Sequence, residues 1–133
     1  METSTETKAR SADMALGIPL FDEAHEAMAE QVVRLLEGPD EQIEAGMARL
    51  TEALEDDFRL EESLMEAIDY PALCSHREQH ARVLAALHRL PPGDVAAARH
   101  AAGLILPWFE MHLATADTAL AIALQIAGRT APQ

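Results

Sequence analysis

The chain has 133 residues, the length of one domain rather than two. It is 49% apolar, but alanine supplies 26 of those residues and only 4% of the chain is aromatic, which favours helix over a sandwich or barrel. The net charge of −13, from 23 acids against 10 Lys and Arg, leaves no footprint for a phosphate backbone or an anionic membrane surface. No apolar run approaches the ~20 residues of a membrane span. The polar N-terminus lacks the apolar stretch of a secretory signal, and the single Cys74 cannot form an internal disulfide. A cytoplasmic protein with Cys74 as a packed thiol is therefore expected.

In chain order, residues 1–17 read as a flexible polar tail. Pro19 then opens an amphipathic helix over 20–37, stopped by Gly38-Pro39. A second helix spans 41–68 and ends at Asp69-Tyr70-Pro71. Pro71 suits the first turn of a third, 71–90, which Pro91-Pro92-Gly93 terminates. Asp94 reads as the N-cap of a last helix, 95–127, closed by Gly128. The expected fold is all-α: an antiparallel up-down-up-down four-helix bundle over 18–128 with an N-terminal extended arm.

Apolar residues recur at three- and four-residue intervals and define one buried stripe per helix. The stripes run Phe21, His25, Met28, Val32, Leu35; Met47, Leu50, Leu54, Asp57, Glu61, Leu64, Ile68; and Leu73, His76, His80, Val83, Leu87, Leu90. The fourth runs Ala98, Ala101, Ile105, Trp108, His112 and resumes at Asp117, Leu120, Leu124. Seven ionisable residues thus stand where the pattern asks for Leu or Val. Burying them unpaired would prevent folding, and convergence on metal removes that cost; imidazole with carboxylate suits Fe, Mn or Zn.

Their levels agree. In an up-down-up-down bundle the start of helix one, the end of helix two and the start of helix three share one end. The pairs 57/61 and 76/80 each lie on one helix face. His112 and Asp117 are five apart, about 140° in an ideal helix, and are expected to approach from opposite flanks. Asp57, Glu61 and Asp117, facing one another without metal, are expected to raise one another's pKa. His88 and His100 fall beside their stripes and read as ordinary surface or boundary residues.

Four linked segments carry a resemblance: DEAH (Asp22–His25), DFRLEESLM (Asp57–Met65), HREQH (His76–His80) and WFEMHLATAD (Trp108–Asp117). Over about residues 18–125 the chain resembles the bacterial hemerythrins, the hemerythrin-like HHE domains. Their pattern is D-x-x-H, H-F-x-x-E-E-x-L-M, H-x-x-x-H and W-x-x-x-H-x-x-x-x-D. The resemblance implies a bundle holding two Fe ions, a non-haem, oxo- or hydroxo-bridged pair. It implies binding of O2, or another small diatomic or anionic ligand, by a carrier, store or sensor. His76, His80 and His112 would then ligate one iron and His25 the other, with Glu61 and Asp117 bridging. The first iron is saturated, so the small molecule belongs on the second. Met28, Phe58, Trp108 and Leu113 match the positions of the family's apolar O2 pocket, and core packing is an equally good reading of them.

One position departs from the family. Asp57 stands where the pattern has the histidine of H-F-x-x-E-E. It would ligate the open iron as an anion, fall short of it, or chelate it and fill the ligand position; the sequence leaves these open. An anionic ligand favours the ferric state, so a di-iron oxidase or peroxidase is the first alternative to an O2-binding protein. No Glu-x-x-His occurs in the chain, which weighs against the ferritin-like form of that chemistry. A metal-free acidic helix bundle acting as an interaction module is the second alternative. A monomer or weak homo-oligomer without catalytic residues is expected.

Overall fold

The computed structural model describes residues 19–130, and every regular element among them is helical. Helix α1 spans Pro19–Glu37, a 3-10 turn covers Asp40–Gln42, and α2 spans Ile43–Ala67. Helix α3 spans Leu73–His88 and α4 spans Val95–His112. A π-helical turn, Leu113–Asp117, leads directly into α5, Thr118–Thr130, so the last three elements form one interrupted rod. The expected tail, 1–17, lies outside the described residues.

The predicted punctuation operates at Gly38, Asp69 and Asp94, shifts at the start of α3, and fails at Gly128, which lies inside α5 rather than closing it. At the end of α1 the Gly38 amide donates to the Arg34 carbonyl at 2.8 Å. A Cβ on Gly38 would stand 2.6 Å from that carbonyl oxygen, so no other residue fits without the chain moving. The Asp94 side chain accepts from the Ala97 amide at 3.0 Å and caps α4. Helix α3 starts two residues later than predicted, at Leu73, because Pro71 and Ala72 belong to the turn that follows Asp69. Asp69 itself has φ 49°, the left-handed conformation that stops α2.

Packing follows from the stripes. Helix α1 lies against α2 and α4, and α2 lies against α3 and α4, while α3 meets α4 through the side chains of His76, His80 and Gln79, which reach His112. Arg99 of α4 fastens the end of α1: its guanidinium donates to the carbonyls of Leu35 at 3.0 Å, Leu36 at 3.2 Å and Gly38 at 2.7 Å. Those carbonyls have no helical donor of their own, and a cation suits a helix C-terminus. Fifteen buried apolar residues, from Met28 to Leu113, form the main core. A smaller core around Met65 and Leu120 occupies the other end. The ionisable residues lie between these two cores.

Two expectations about single residues resolve differently. His88 and His100 are exposed, as their registers predicted. Cys74 is exposed rather than packed, because α3 presents it opposite the face that carries His76 and His80. No helix among the described residues is long and apolar enough to cross a membrane.

Candidate metal centre

All seven seam residues are buried: His25, Asp57, Glu61, His76, His80, His112 and Asp117 are each at most 3% exposed. They come from α1, α2, α3, α4 and the π turn, and they fall into two groups that share Glu61. Glu61, His76, His80, His112 and Asp117 form one group, and His25, Asp57 and Glu61 form the other. Within each group the candidate ligand atoms lie within 4.8 Å of one another.

The first group is the tighter. His76 Nε2 stands 3.1 Å from His112 Nε2, and His80 Nε2 stands 3.2 Å from the same atom. Glu61 Oε1 lies 3.0 Å from His76 Nε2, and Asp117 Oδ1 lies 3.0 Å from His76 Nε2 and 3.1 Å from His112 Nε2. Ligand atoms ~2.1 Å from one ion at right angles stand ~3.0 Å apart, so these spacings suit a shared cation. Neutral imidazoles present only one proton each, and three ring nitrogens converging this closely cannot all be satisfied by one another. The donor set fits a transition metal ion.

The second group is looser. His25 Nε2 lies 3.7 Å from Asp57 Oδ2 and 3.8 Å from Asp117 Oδ2. Asp117 therefore turns Oδ1 to the three-histidine group and Oδ2 to His25. Both oxygens of Asp57 and the Oε2 of Glu61 are buried without a hydrogen-bond donor. Buried acceptors left this way cost stability unless a cation or a proton reaches them.

The electrostatics divide the acids. Burial, and then the charge of Glu61, pushes the Asp57 carboxyl up to about 10. Burial acts on Glu61 in the same sense, but hydrogen bonds from His112, His76 and His80 overcome it and hold that carboxyl well below its usual range. The expected mutual elevation thus holds for Asp57 and fails for Glu61, where the hydrogen bonds of three imidazoles outweigh burial. Burial works against the His76 cation, yet Asp117 and Glu61 carry its pKa up to about 9. His112 moves the same way for the same reasons. Burial wins at His25, which is lowered despite Asp117 and Glu61.

The expectation that His112 and Asp117 enter from opposite flanks is overturned. The Thr118 amide donates to the Leu113 carbonyl, the i to i+5 bond of a π turn. Thr118 Oγ1 reinforces it, donating to the same oxygen at 2.6 Å. The extra residue taken into the turn brings positions 112 and 117 onto one face. An uninterrupted α-helix would have kept them apart.

Aromatic rings enclose the centre. Phe58 stacks on His80 with centroids 3.8 Å apart and planes 3° from parallel. Trp108 stacks on His112 at 4.8 Å and 12°. Met28 and Leu113 are buried beside them in the same core. Phe109, which the stripe omitted, stands edge-on to His25 at 5.1 Å.

Gln79 also escaped the sequence reading. Its Oε1 accepts from His112 Nδ1 at 2.9 Å, which orients the ring so that Nε2 faces Glu61 and Asp117. The available signal was a polar side chain next to His80 inside HREQH. Gln79→Leu is expected to cost about 1–3 kcal/mol, the penalty of a buried donor left unpaired, in urea unfolding. A midpoint unchanged from the native protein would show that this bond does not hold the ring.

No family model, curated protein or solved structure matches the chain.

Proposed function

We propose that the chain is a hemerythrin-like, non-haem di-iron protein, built on an antiparallel up-and-down bundle, that binds O2 or a related small ligand. The observation that carries this reading is the placement of Asp117 and Glu61. Asp117 turns one oxygen to each ligand group and Glu61 belongs to both, the disposition two bridging carboxylates need. His76, His80 and His112 would hold one ion, and His25 with Asp57 the other. With three imidazoles on the first ion and fewer side chains offered to the second, a small ligand would belong on the His25 side.

When bound, a ferrous pair supplies the electrons that O2 binding draws on. The residues of the chain do the rest. Glu61, kept ionised by the three imidazoles, holds negative charge between the ligand groups. Gln79 sets the His112 tautomer. Phe58, Met28, Trp108 and Leu113 wall the site in apolar side chains, which favours an uncharged diatomic over bulk water.

Asp57 favours a second reading, an oxidase-type enzyme. Its carboxylate lies in the second ligand group, where it would stabilise the ferric state. One experiment tests both: metal stoichiometry together with visible spectra of the same sample, anaerobic and then aerated. The expected result is about two iron ions per chain and a new absorption band on aeration that reverses under vacuum. A band that fails to reverse assigns the oxidase reading. Folded protein from iron-rich medium that holds no metal, and whose melting temperature ignores anaerobic Fe(II), overturns both.

A further inference from the structure

His80 is 2% exposed, and its two ring nitrogens have unequal surroundings. Nε2 stands 3.2 Å from His112 Nε2 and 3.5 Å from Glu61 Oε1, inside the first ligand group. Nδ1 is buried without a hydrogen-bond partner. Phe58, stacked on the ring at 3.8 Å, fixes its plane but has no polar atom to offer it. The carboxylate that approaches Nδ1 belongs to Glu62, whose Oε2 lies 4.0 Å away. Its other oxygen accepts from Arg77 Nε at 2.9 Å, and the same guanidinium donates to Glu66 at 2.6 Å. Glu62 is therefore tethered to α3 by one oxygen while the second faces His80.

We propose that Glu62 is a positioning residue for the metal centre: when His80 gives Nε2 to a metal ion, Glu62 Oε2 accepts the Nδ1 proton and holds the imidazole in its ligating orientation. A neutral imidazole carries a single proton, on one nitrogen or the other. Without metal, Glu61 Oε1 competes for that proton at Nε2, which leaves Nδ1 a bare lone pair that a carboxylate avoids. With Nε2 ligating, the proton sits on Nδ1 and needs an acceptor, which ligating histidines almost always have. A movement of about 1 Å brings Oε2 to the ~2.8 Å of a charge-assisted hydrogen bond. Glu62 is partly exposed, so its side chain has room to make it. His112 has the uncharged counterpart, since Gln79 already accepts from its Nδ1. The two imidazoles therefore differ in kind, and the carboxylate makes His80 the more basic ligand. This role of Glu62 rests on the metal-centre reading, but not on which ion or small ligand the centre takes.

The test uses Zn(II), a redox-inert probe of the three-histidine group, on the native protein, Glu62→Ala and Glu62→Gln. Competition with a chelating dye should show Zn(II) held at least ~10-fold more weakly by Glu62→Ala, the usual effect of losing such a partner. Without metal, the same variant should lose no more than the ~1 kcal/mol of the surface ion pair with Arg77, read from urea midpoints. Glu62→Gln keeps an acceptor without the charge and should recover most of the affinity. In Zn(II)-loaded native protein carrying isotope-labelled histidine, the His80 Nδ1 proton should give a downfield, slowly exchanging resonance that is absent from Glu62→Ala. Unchanged affinity in Glu62→Ala, Glu62→Gln as weak as Glu62→Ala, or a resonance that persists in Glu62→Ala would overturn the role of Glu62 and leave the metal centre standing. A native protein that binds neither Zn(II) nor Fe(II) would overturn the metal centre itself, and the role of Glu62 with it.

Discussion

Metal-free protein is expected to lose stability steadily as the pH rises from 6.5 to about 9. Asp57 is raised from 3.8 to about 10, so its contribution is complete in acid and fades as the pH climbs toward that value. His76 is raised from 6.5 to about 9, and His112 moves in the same direction. Their contributions are whole below 6.5 and vanish above the folded-state values. Two groups act with the opposite sign. Glu61 is depressed below 4.5 and loses its contribution only on acidification. His25 is lowered from 6.5, so its contribution too is lost toward acid and is complete above that pH. Nothing in the centre therefore offsets the loss above 6.5.

A fall of at least ~3 kcal/mol is expected across that window, since each unit of pKa shift is worth about 1.4 kcal/mol. Urea midpoints at several pH values, with a chelator present, measure it. Asp57→Asn removes one of the three groups and should flatten the curve. A midpoint that stays level or rises in the native protein would refute the account. With Fe(II) present the slope should reverse, because ligands must shed protons to bind metal.

Asp57→His is expected to raise the reduction potential of the iron-loaded protein by at least ~60 mV, a tenfold shift toward the ferrous state for a one-electron couple. The substitution removes one negative charge from beside His25 and supplies a neutral, longer ligand. A charge this close is worth on the order of 4 kcal/mol at an effective dielectric near 20, so the threshold is conservative. Spectroelectrochemical titration of both forms reads the shift, and the aerobic oxidation rate of the reduced protein should fall with it. Equal potentials would mean that Asp57 does not govern the redox chemistry of the site.

Much of the molecule was legible because its signals are local. The helix stops at Gly38 and Asp69, and the cap at Asp94, depend on conformational preferences of a few adjacent residues. The seven seam residues were legible because burial of charge is so costly that a helical stripe containing His and Asp demands a reason. His88 and His100, off the stripes by a fraction of a turn, were correctly left on the surface.

The remainder depends on three-dimensional company that spacing does not encode. Phe109 lies one residue from Trp108, and the stripe chose the tryptophan; Phe109 is the fully buried one and Trp108 only half-buried, because α4 touches α1 on one side and α2 on the other. Gln79 is neither apolar nor ionisable, so no periodicity argument selects it, and only the position of His112 gives it a role. Glu61 was assigned the wrong electrostatic direction because acids were counted without knowing which imidazoles point at them.

The π turn also sets the phase of everything after it. A rod with a constant period can be read from either end with the same ruler, and this one cannot. Leu120 and Ala121 reach the core, and Asp117 reaches His25, only because one residue between His112 and Thr118 adds length without adding its share of rotation. Deleting one residue there would shorten no loop. It would turn the whole of α5 by about a quarter turn against the bundle. The segment 113–117 therefore tolerates exchange of its exposed side chains, such as Ala114 and Thr115, far better than any change in its number of residues. Two sequences compared by helical period alone would agree up to His112 and disagree at every position beyond it.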